Sequence, residues 1–185
     1  MIARQLYSYC LRKEPILTAA DQSRCTPLLV AAKKGREAVI QLLLEKGANI
    51  EAADQVSRTP LSRAAEVGHE VVLRILLERG ADIEAGAVYS RRPLHEAAER
   101  GNEALIRILT RWQINKDRII YGHTPLLAAA VEGHEAIVSL LLEKGAEVNV
   151  VGNDGRTPFM WALKGNHEAV ARLLESRGGD RTPCL

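Results

Sequence analysis

Four histidine–glutamate pairs come closest to a catalytic or metal-binding pattern in this sequence, and they begin at His69, His95, His134 and His167. A zinc-protease helix needs a second histidine four residues after the first, so that both imidazoles face one metal ion. None of the four pairs has that second histidine. We interpret three of them as repeated helix starts and hydrogen-bonding positions. His95, one turn before Glu99, is predicted to lie on the surface rather than to bind a metal.

No other pattern favours an enzyme. Cys10, Cys25 and Cys184 are odd in number and lack the C-x-x-C spacing of zinc or redox sites. There is no glycine-rich phosphate loop and no G-x-S-x-G nucleophile turn. We therefore expect no catalytic residue, metal or cofactor. The cysteine usage predicts a reducing compartment, the cytoplasm or the nucleus.

Composition gives no support for nucleic-acid or membrane partners. The net charge is only +2 with 26% charged residues, and the longest apolar run, Leu126 to Val131, is far too short to span a bilayer. Apolar residues make up 46% of the chain, but aromatic residues only 4%. The core is therefore expected to consist mainly of Leu, Ala, Val and Ile in thin helix layers.

One motif recurs along the chain, marked by Pro27, Pro60, Pro93, Pro125 and Pro158 at steps of 33, 33, 32 and 33 residues. A fixed period of this size indicates a repeat architecture. Such a unit is too small to bury its own apolar surface, so the copies are expected to stack.

The copy around Pro60 shows how each unit is built. Thr59 is suited to cap a helix that starts at Pro60, and Gly68 to end it in left-handed geometry. A second helix is expected from His69, with apolar residues at helical spacing, until Gly80 closes it. Two antiparallel helices and a loop make one unit.

The motif Thr-Pro-Leu-x-x-Ala-Ala-x-x-Gly-His-Glu, followed by Leu-Leu-Glu-x-Gly-Ala, resembles the ankyrin repeat. The chain is similar to that family over five tandem repeats plus an N-terminal half-repeat. The resemblance implies an all-α solenoid of stacked helix-turn-helix units with β-turn loops. The expected boundaries are 1–20 for the half-repeat, 21–53, 54–86, 87–118 and 119–151 for repeats 1 to 4, 152–178 for repeat 5 as the C-terminal cap, and 179–185 for a disordered tail.

Two repeats depart from the motif. Repeat 3 has Arg92 in place of the capping threonine and ends without a glycine after Trp112, which either packs over the gap or stands exposed for a partner. In repeat 5, Asn166 takes the place of the left-handed glycine, as Asn can. The large side chains of Phe159–Trp161 are expected to give this repeat more core of its own.

The resemblance also implies a function, that of a non-catalytic scaffold for protein–protein interaction. The partner, a protein or peptide, would lie on a concave face formed by the β-turn tips and the inner helices. Carried onto this sequence, the candidate binding residues are Arg58, Val88, Tyr89, Arg91, Ile120, Tyr121, His123 and Arg156 at the tips, Lys33, Lys34, Glu66 and Arg100 on the inner helices, and Trp112.

Two tips carry apolar and aromatic residues where a solvated loop would be polar, and we predict that Tyr89 and Tyr121 are interface anchors. The alternative is that these two tyrosines pack against each other and only stabilise the stack.

A row of basic residues also follows the tips, at Arg24, Arg58, Arg91, His123 and Arg156. An extended acidic segment of a protein would fit such a row, whereas the alternative is a merely solvated set of charges. Acidic residues between them argue against nucleic acid. The chain is expected to be a monomer or part of a longer protein. The competing functional interpretation is an architectural or sensor array within a larger multidomain protein.

Overall fold

The computed structural model describes residues 20, 23–85, 92–112 and 123–180. Within these ranges the chain forms ten helices in five consecutive pairs and no β-strand. We call the first helix of each pair inner and the second outer. The inner helices are α1 (Pro27–Lys33), α3 (Pro60–Val67), α5 (Pro93–Glu99), α7 (Pro125–Glu132) and α9 (Pro158–Lys164). The outer helices are α2 (Glu37–Glu45), α4 (Glu70–Glu78), α6 (Glu103–Thr110), α8 (Glu135–Glu143) and α10 (Glu168–Ser176).

The chain divides into two compact units, Met1–Arg92 and Pro93–Leu185. In the first, inner helix α1 packs on α3, outer helix α2 packs on α4, and each inner helix packs on its own outer helix. In the second, α5, α7 and α9 form the inner layer and α6, α8 and α10 the outer layer. The predicted all-α fold of stacked helix-turn-helix units is confirmed.

The core is built from the residue types that the composition predicts. Leu, Ala, Val and Ile fill the space between the layers, and Phe159, 2% exposed, is the one phenylalanine among them. Small alanines at the centre of each inner helix, such as Ala64 and Ala97, are fully buried. They allow the short helices to approach closely.

Threonine caps start four of the five inner helices. The Oγ1 atoms of Thr26, Thr59, Thr124 and Thr157 accept a hydrogen bond from the backbone N–H three residues on, at 3.2 to 3.4 Å. Each bond satisfies one of the free N–H groups at a helix start. The exception is α5, where the buried Arg92 stands in the threonine position and forms an ion pair with Glu84.

A left-handed residue joins the inner helix to the outer helix in every pair. Four of these residues are glycines, and the fifth is Asn166 with φ of 57°. The prediction for Asn166 is therefore confirmed. Its backbone N–H donates to the carbonyl of Leu163 at 3.1 Å, which closes the inner helix.

Histidines at the starts of outer helices tie neighbouring repeats together. The Nε2 atoms of His69, His134 and His167 lie 3.2, 2.9 and 3.0 Å from the carbonyl oxygens of Lys33, Glu99 and Val131. A carbonyl oxygen can only accept, so each Nε2 carries the proton and donates. The predicted role of these three histidines as helix starts and inter-repeat donors is confirmed.

The rings of the same three histidines also explain why the preceding repeat has a glycine beside each of them. Gly35 lies beside His69, Gly101 beside His134 and Gly133 beside His167. A Cβ atom on Gly133 would lie 2.6 Å from Cε1 and 2.7 Å from Cγ of His167. Gly133 is also left-handed, with φ of 76°. Glycine is required there for two independent reasons, the backbone conformation and the space for the ring.

The C-terminal part of the chain is hydrogen-bonded as far as the structure describes it. The backbone N–H of Asp180 donates to Oδ1 of Asn149 at 2.9 Å, and its carbonyl accepts from Oγ1 of Thr157 at 3.0 Å. Residues 181–185 of the predicted tail and residues 1–19 of the predicted half-repeat lie outside the described residues.

Candidate functional site

Two turn tips described by the structure share one geometry. At the tip of repeat 2, Asp54 N–H donates to the carbonyl of Arg58, and Ser57 N–H donates to the carbonyl of Asp54, at 3.1 and 2.9 Å. Ser57 is left-handed, with φ of 61°. This is a three-residue hairpin loop closed by a left-handed residue. The tip of repeat 5 repeats it, with Gly155 as the left-handed residue.

This geometry fixes where the basic tip residues sit. Arg58 and Arg156 directly follow the left-handed residue, so they hold the same position in their repeats. Arg24 is itself left-handed, with φ of 57°, and Cys25 occupies the position that corresponds to Arg58. Arg24 therefore lies one residue before the position that Arg58 and Arg156 share.

In the first unit, Arg58 belongs to a network of charges centred on Asp54. The Oδ2 atom of Asp54 accepts from Nε of Arg58 at 3.0 Å and from Nη2 of Arg63 at 2.6 Å. Glu66 completes the network, 3.3 Å from Nη1 of Arg63 and 3.9 Å from Nη1 of Arg58. Two of the predicted binding residues, Arg58 and Glu66, are thus engaged within the chain.

The protonation of Asp54 follows from these contacts. Burial raises the pKa of Asp54, but the backbone and side-chain hydrogen bonds from Arg58, the backbone N–H of Val56 and the Arg58 charge outweigh it and lower the pKa below its usual value. Asp54 is therefore ionised at neutral pH, and its charge holds the two arginines in place.

In the second unit, two tips and an inner helix meet around the half-buried indole of Trp161. Nζ of Lys164 lies 4.3 Å and Cζ of Arg156 lies 5.2 Å from the ring centroid, both within cation–π range. The ring of His123 is 6.4 Å away at a tilt of 40°. We call His123, Asp154, Arg156, Trp161 and Lys164 the Trp161 cluster.

Asp154 partly neutralises this cluster. Its Oδ2 accepts from Nη1 of Arg156 at 2.9 Å, and its Oδ1 accepts from the backbone N–H of Arg156 at 3.2 Å. Burial raises the pKa of Asp154, but these bonds and the Arg156 charge lower it overall. Of the two cations on the indole, Arg156 has a partner carboxylate, whereas Lys164 is exposed at the end of α9.

The other described candidates are not members of these two groups. Lys33 and Lys34 are exposed at the end of α1. Arg100 is exposed after α5, and its Nε donates to Oε1 of Glu96. Trp112 follows α6 with 46% of its surface exposed.

Five candidates at the tips of repeats 3 and 4 lie outside the described residues, namely Val88, Tyr89, Arg91, Ile120 and Tyr121. The tyrosine-anchor hypothesis therefore stays a prediction.

The expectation that His95 lies on the surface is wrong. The residue is only 5% exposed, and its Nε2 lies 3.1 Å from the backbone carbonyl oxygen of His123. This hydrogen bond to the next repeat pairs the buried Nε2 atom. It also fixes the backbone beside the His123 ring in the Trp161 cluster.

Sequence reasoning missed Arg63 and Trp161 as functional candidates. Arg63 and Trp161 occupy the same place, three residues after the proline that starts the inner helix. The other repeats have Val30, Glu96 and Ala128 there. A comparison of this single position across the repeats would have singled out Arg63 and Trp161 as the two largest side chains.

Among the described residues, no group of three or more His, Cys, Asp and Glu side chains is placed to hold a metal ion. None of the described helices has the length and apolar character needed to cross a membrane.

The family comparison matches most of the chain. A model of ankyrin repeats in three copies matches residues 5–87 and again 94–182. A search of curated proteins gives no match.

Proposed function

Because the chain belongs to the ankyrin-repeat family, we propose that it is a non-catalytic module that recognises a partner protein or peptide through its turn tips and inner helices. Ankyrin repeats are generally protein–protein interaction modules and generally not catalytic. In this proposal the helices supply a rigid support, and the variable side chains at the tips and on the inner helices select the partner.

The Trp161 cluster is the observation that carries the proposal. It brings side chains from the tips of two repeats and from one inner helix into a single surface group in the second unit. Tryptophan and arginine are the residue types most enriched at the energetic centres of interfaces. An indole flanked by cations offers a large, rigid contact area together with charge.

Affinity capture with matched charge variants tests this proposal. The test variant is Arg156→Gln with Lys164→Gln, in the Trp161 cluster. The control is Lys144→Gln with Arg172→Gln, which removes the same charge from exposed residues of the outer layer in the same unit. Urea unfolding of all three proteins establishes beforehand that neither pair of changes alters the fold.

A partner that is captured by the native chain and by the outer-layer control, but lost with the cluster variant, would support the proposal. Loss with the outer-layer control alone would move recognition to the outer helices. Absence of capture by all three proteins would favour the architectural alternative, in which the array is a spacer or sensor within a larger protein.

The tyrosine-anchor hypothesis has a separate test in the same assay. Replacing Tyr89 and Tyr121 by Ser is expected to weaken capture by about tenfold or more if they are anchors, given hot-spot costs of about 2 kcal/mol. Unchanged capture would leave only the packing role for these two residues.

A further inference from the structure

We infer that the Trp161 cluster binds an acidic peptide segment of the partner, with a carboxylate received by Lys164 and Arg156 beside the indole. This inference rests on the proposed function and adds the chemistry of the partner. It differs from the hypothesis that an acidic segment lies along the whole row of basic tip residues, because it places recognition at one aromatic group in one unit.

The first step is the state of Lys164. Its ammonium is held 4.3 Å from the indole centroid, yet within the described ranges no carboxylate forms an ion pair with it. An ammonium on an aromatic face is only partly stabilised and keeps hydrogen-bond donors for an anion. Lys164 is therefore available to a ligand carboxylate without first breaking an ion pair.

The second step is the indole nitrogen. Nε1 of Trp161 is buried, and among the described residues it has no hydrogen-bond partner. A buried N–H without an acceptor costs free energy, and such groups are rare in folded proteins. A ligand carboxylate that reaches the edge of the ring would supply this donor with the acceptor that it lacks.

The third step is the charge balance. Arg156 and Lys164 are positive and Asp154 is negative, which leaves one net positive charge when His123 is neutral. A short segment with few carboxylates matches that charge. A continuous polyanion such as nucleic acid would meet Asp154 as well, and this disfavours it.

The test uses the full chain and the two indole N–H signals in a ¹⁵N-correlated NMR spectrum. The chain contains 2 tryptophans, so a Trp112→Phe sample assigns the Trp161 signal. The probes are a short Glu/Ala peptide, a Gln/Ala peptide of equal length and a single-stranded DNA of equal length. We expect the Trp161 signal to shift with the Glu/Ala peptide, and the shift to weaken as salt is added.

Two variants should change the affinity in opposite directions. Lys164→Gln is expected to weaken binding of the Glu/Ala peptide about tenfold, as expected for a hydrogen bond to a charged group. Asp154→Asn should strengthen it by roughly threefold or more, because it releases Arg156 and removes a repelling charge. A gain in affinity cannot come from misfolding. Lys144→Gln, in the outer layer, is the control and should leave the affinity unchanged.

Each alternative result overturns the inference. Equal binding of the Gln/Ala peptide would show that charge is not recognised, and equal or tighter binding of DNA would make the cluster a general polyanion site. If the Trp161 signal did not shift with the Glu/Ala peptide, an acidic ligand at this cluster would be excluded. In all three cases, capture that is lost only with the cluster variant would leave the proposed function standing, whereas equal capture by cluster and control variants would exclude the Trp161 cluster from the recognition surface.

Discussion

Gly133→Ala is the substitution that examines the histidine link between repeats most closely. The alanine has to adopt φ of 76°, and its Cβ would lie 2.6 Å from Cε1 of His167. Gly155→Ala is the matched control in the same unit, because φ there is 74° and nothing lies within 4 Å of an added Cβ. Both variants carry the left-handed strain, but only one meets a ring.

The expected free energies of unfolding follow from these contacts. Left-handed geometry costs an alanine about 1–2 kcal/mol, so Gly155→Ala should lose about that much. Gly133→Ala should lose a further ~2 kcal/mol or more, because the ring must move and the 3.0 Å hydrogen bond from His167 to Val131 is lost. The two losses should therefore differ by an amount that is easy to measure.

Urea unfolding followed by helical circular dichroism measures this difference, provided that the dependence of free energy on urea is the same for all variants. A double-mutant cycle with His167→Ala isolates the cause, since the additional cost of Gly133→Ala should largely disappear once the ring is absent. Equal losses for Gly133→Ala and Gly155→Ala, or an additional cost that persists without His167, would refute the steric argument.

Two other substitutions test the charge network and the helix caps. Asp54→Asn should lower the free energy of unfolding by about 1.5–3 kcal/mol at pH 7, because charged hydrogen bonds to Arg58 and Arg63 are lost. The lowered pKa of Asp54 in the folded state means that this contribution is present above the unfolded-state pKa of about 3.9 and is lost as pH falls through the folded-state value. Urea midpoints of the native chain and the variant should therefore converge below about pH 4, and a constant gap at all pH values would contradict an ionic origin. Thr124→Ala should lower the free energy of unfolding by about 1 kcal/mol, because the hydrogen bond from the Leu127 N–H is lost, whereas Thr124→Ser should lower it much less. Equal losses for the two variants in urea unfolding would show that the hydroxyl does not act as a cap.

Local features of this fold can be read from the sequence because their causes lie within a few residues. Threonine before proline starts an inner helix, since the hydroxyl bonds the N–H three residues on. Asn166 is left-handed because asparagine tolerates that conformation better than most residues. The period of the motif then repeats these local solutions along the chain.

Contacts between distant residues are what the sequence does not reveal. His95 looks like a surface residue, but the carbonyl that pairs with its Nε2 atom belongs to His123, 28 residues later. Arg63 pairs with Asp54 across a helix start, and no pattern marks the two as partners.

The Trp161 cluster is likewise formed by contacts between residues that are distant in the sequence. Trp161 was expected to add core to repeat 5, and Phe159 does so at 2% exposure. The indole instead remains half-buried beneath the side chains of Arg156 and Lys164. Only the stacking of two tips beside the inner helix brings these groups together.

Lysine footprinting on a captured complex tests the recognition face most directly. Lys33, Lys34 and Lys164 are exposed at the ends of inner helices, whereas Lys46 and Lys144 are exposed at the ends of outer helices. We predict that the partner protects Lys164 from acylation, along with Lys33 and Lys34 if the first unit takes part, while Lys46 and Lys144 remain reactive. Protection of Lys46 and Lys144 with a reactive Lys164 would contradict recognition through the inner helices and turn tips.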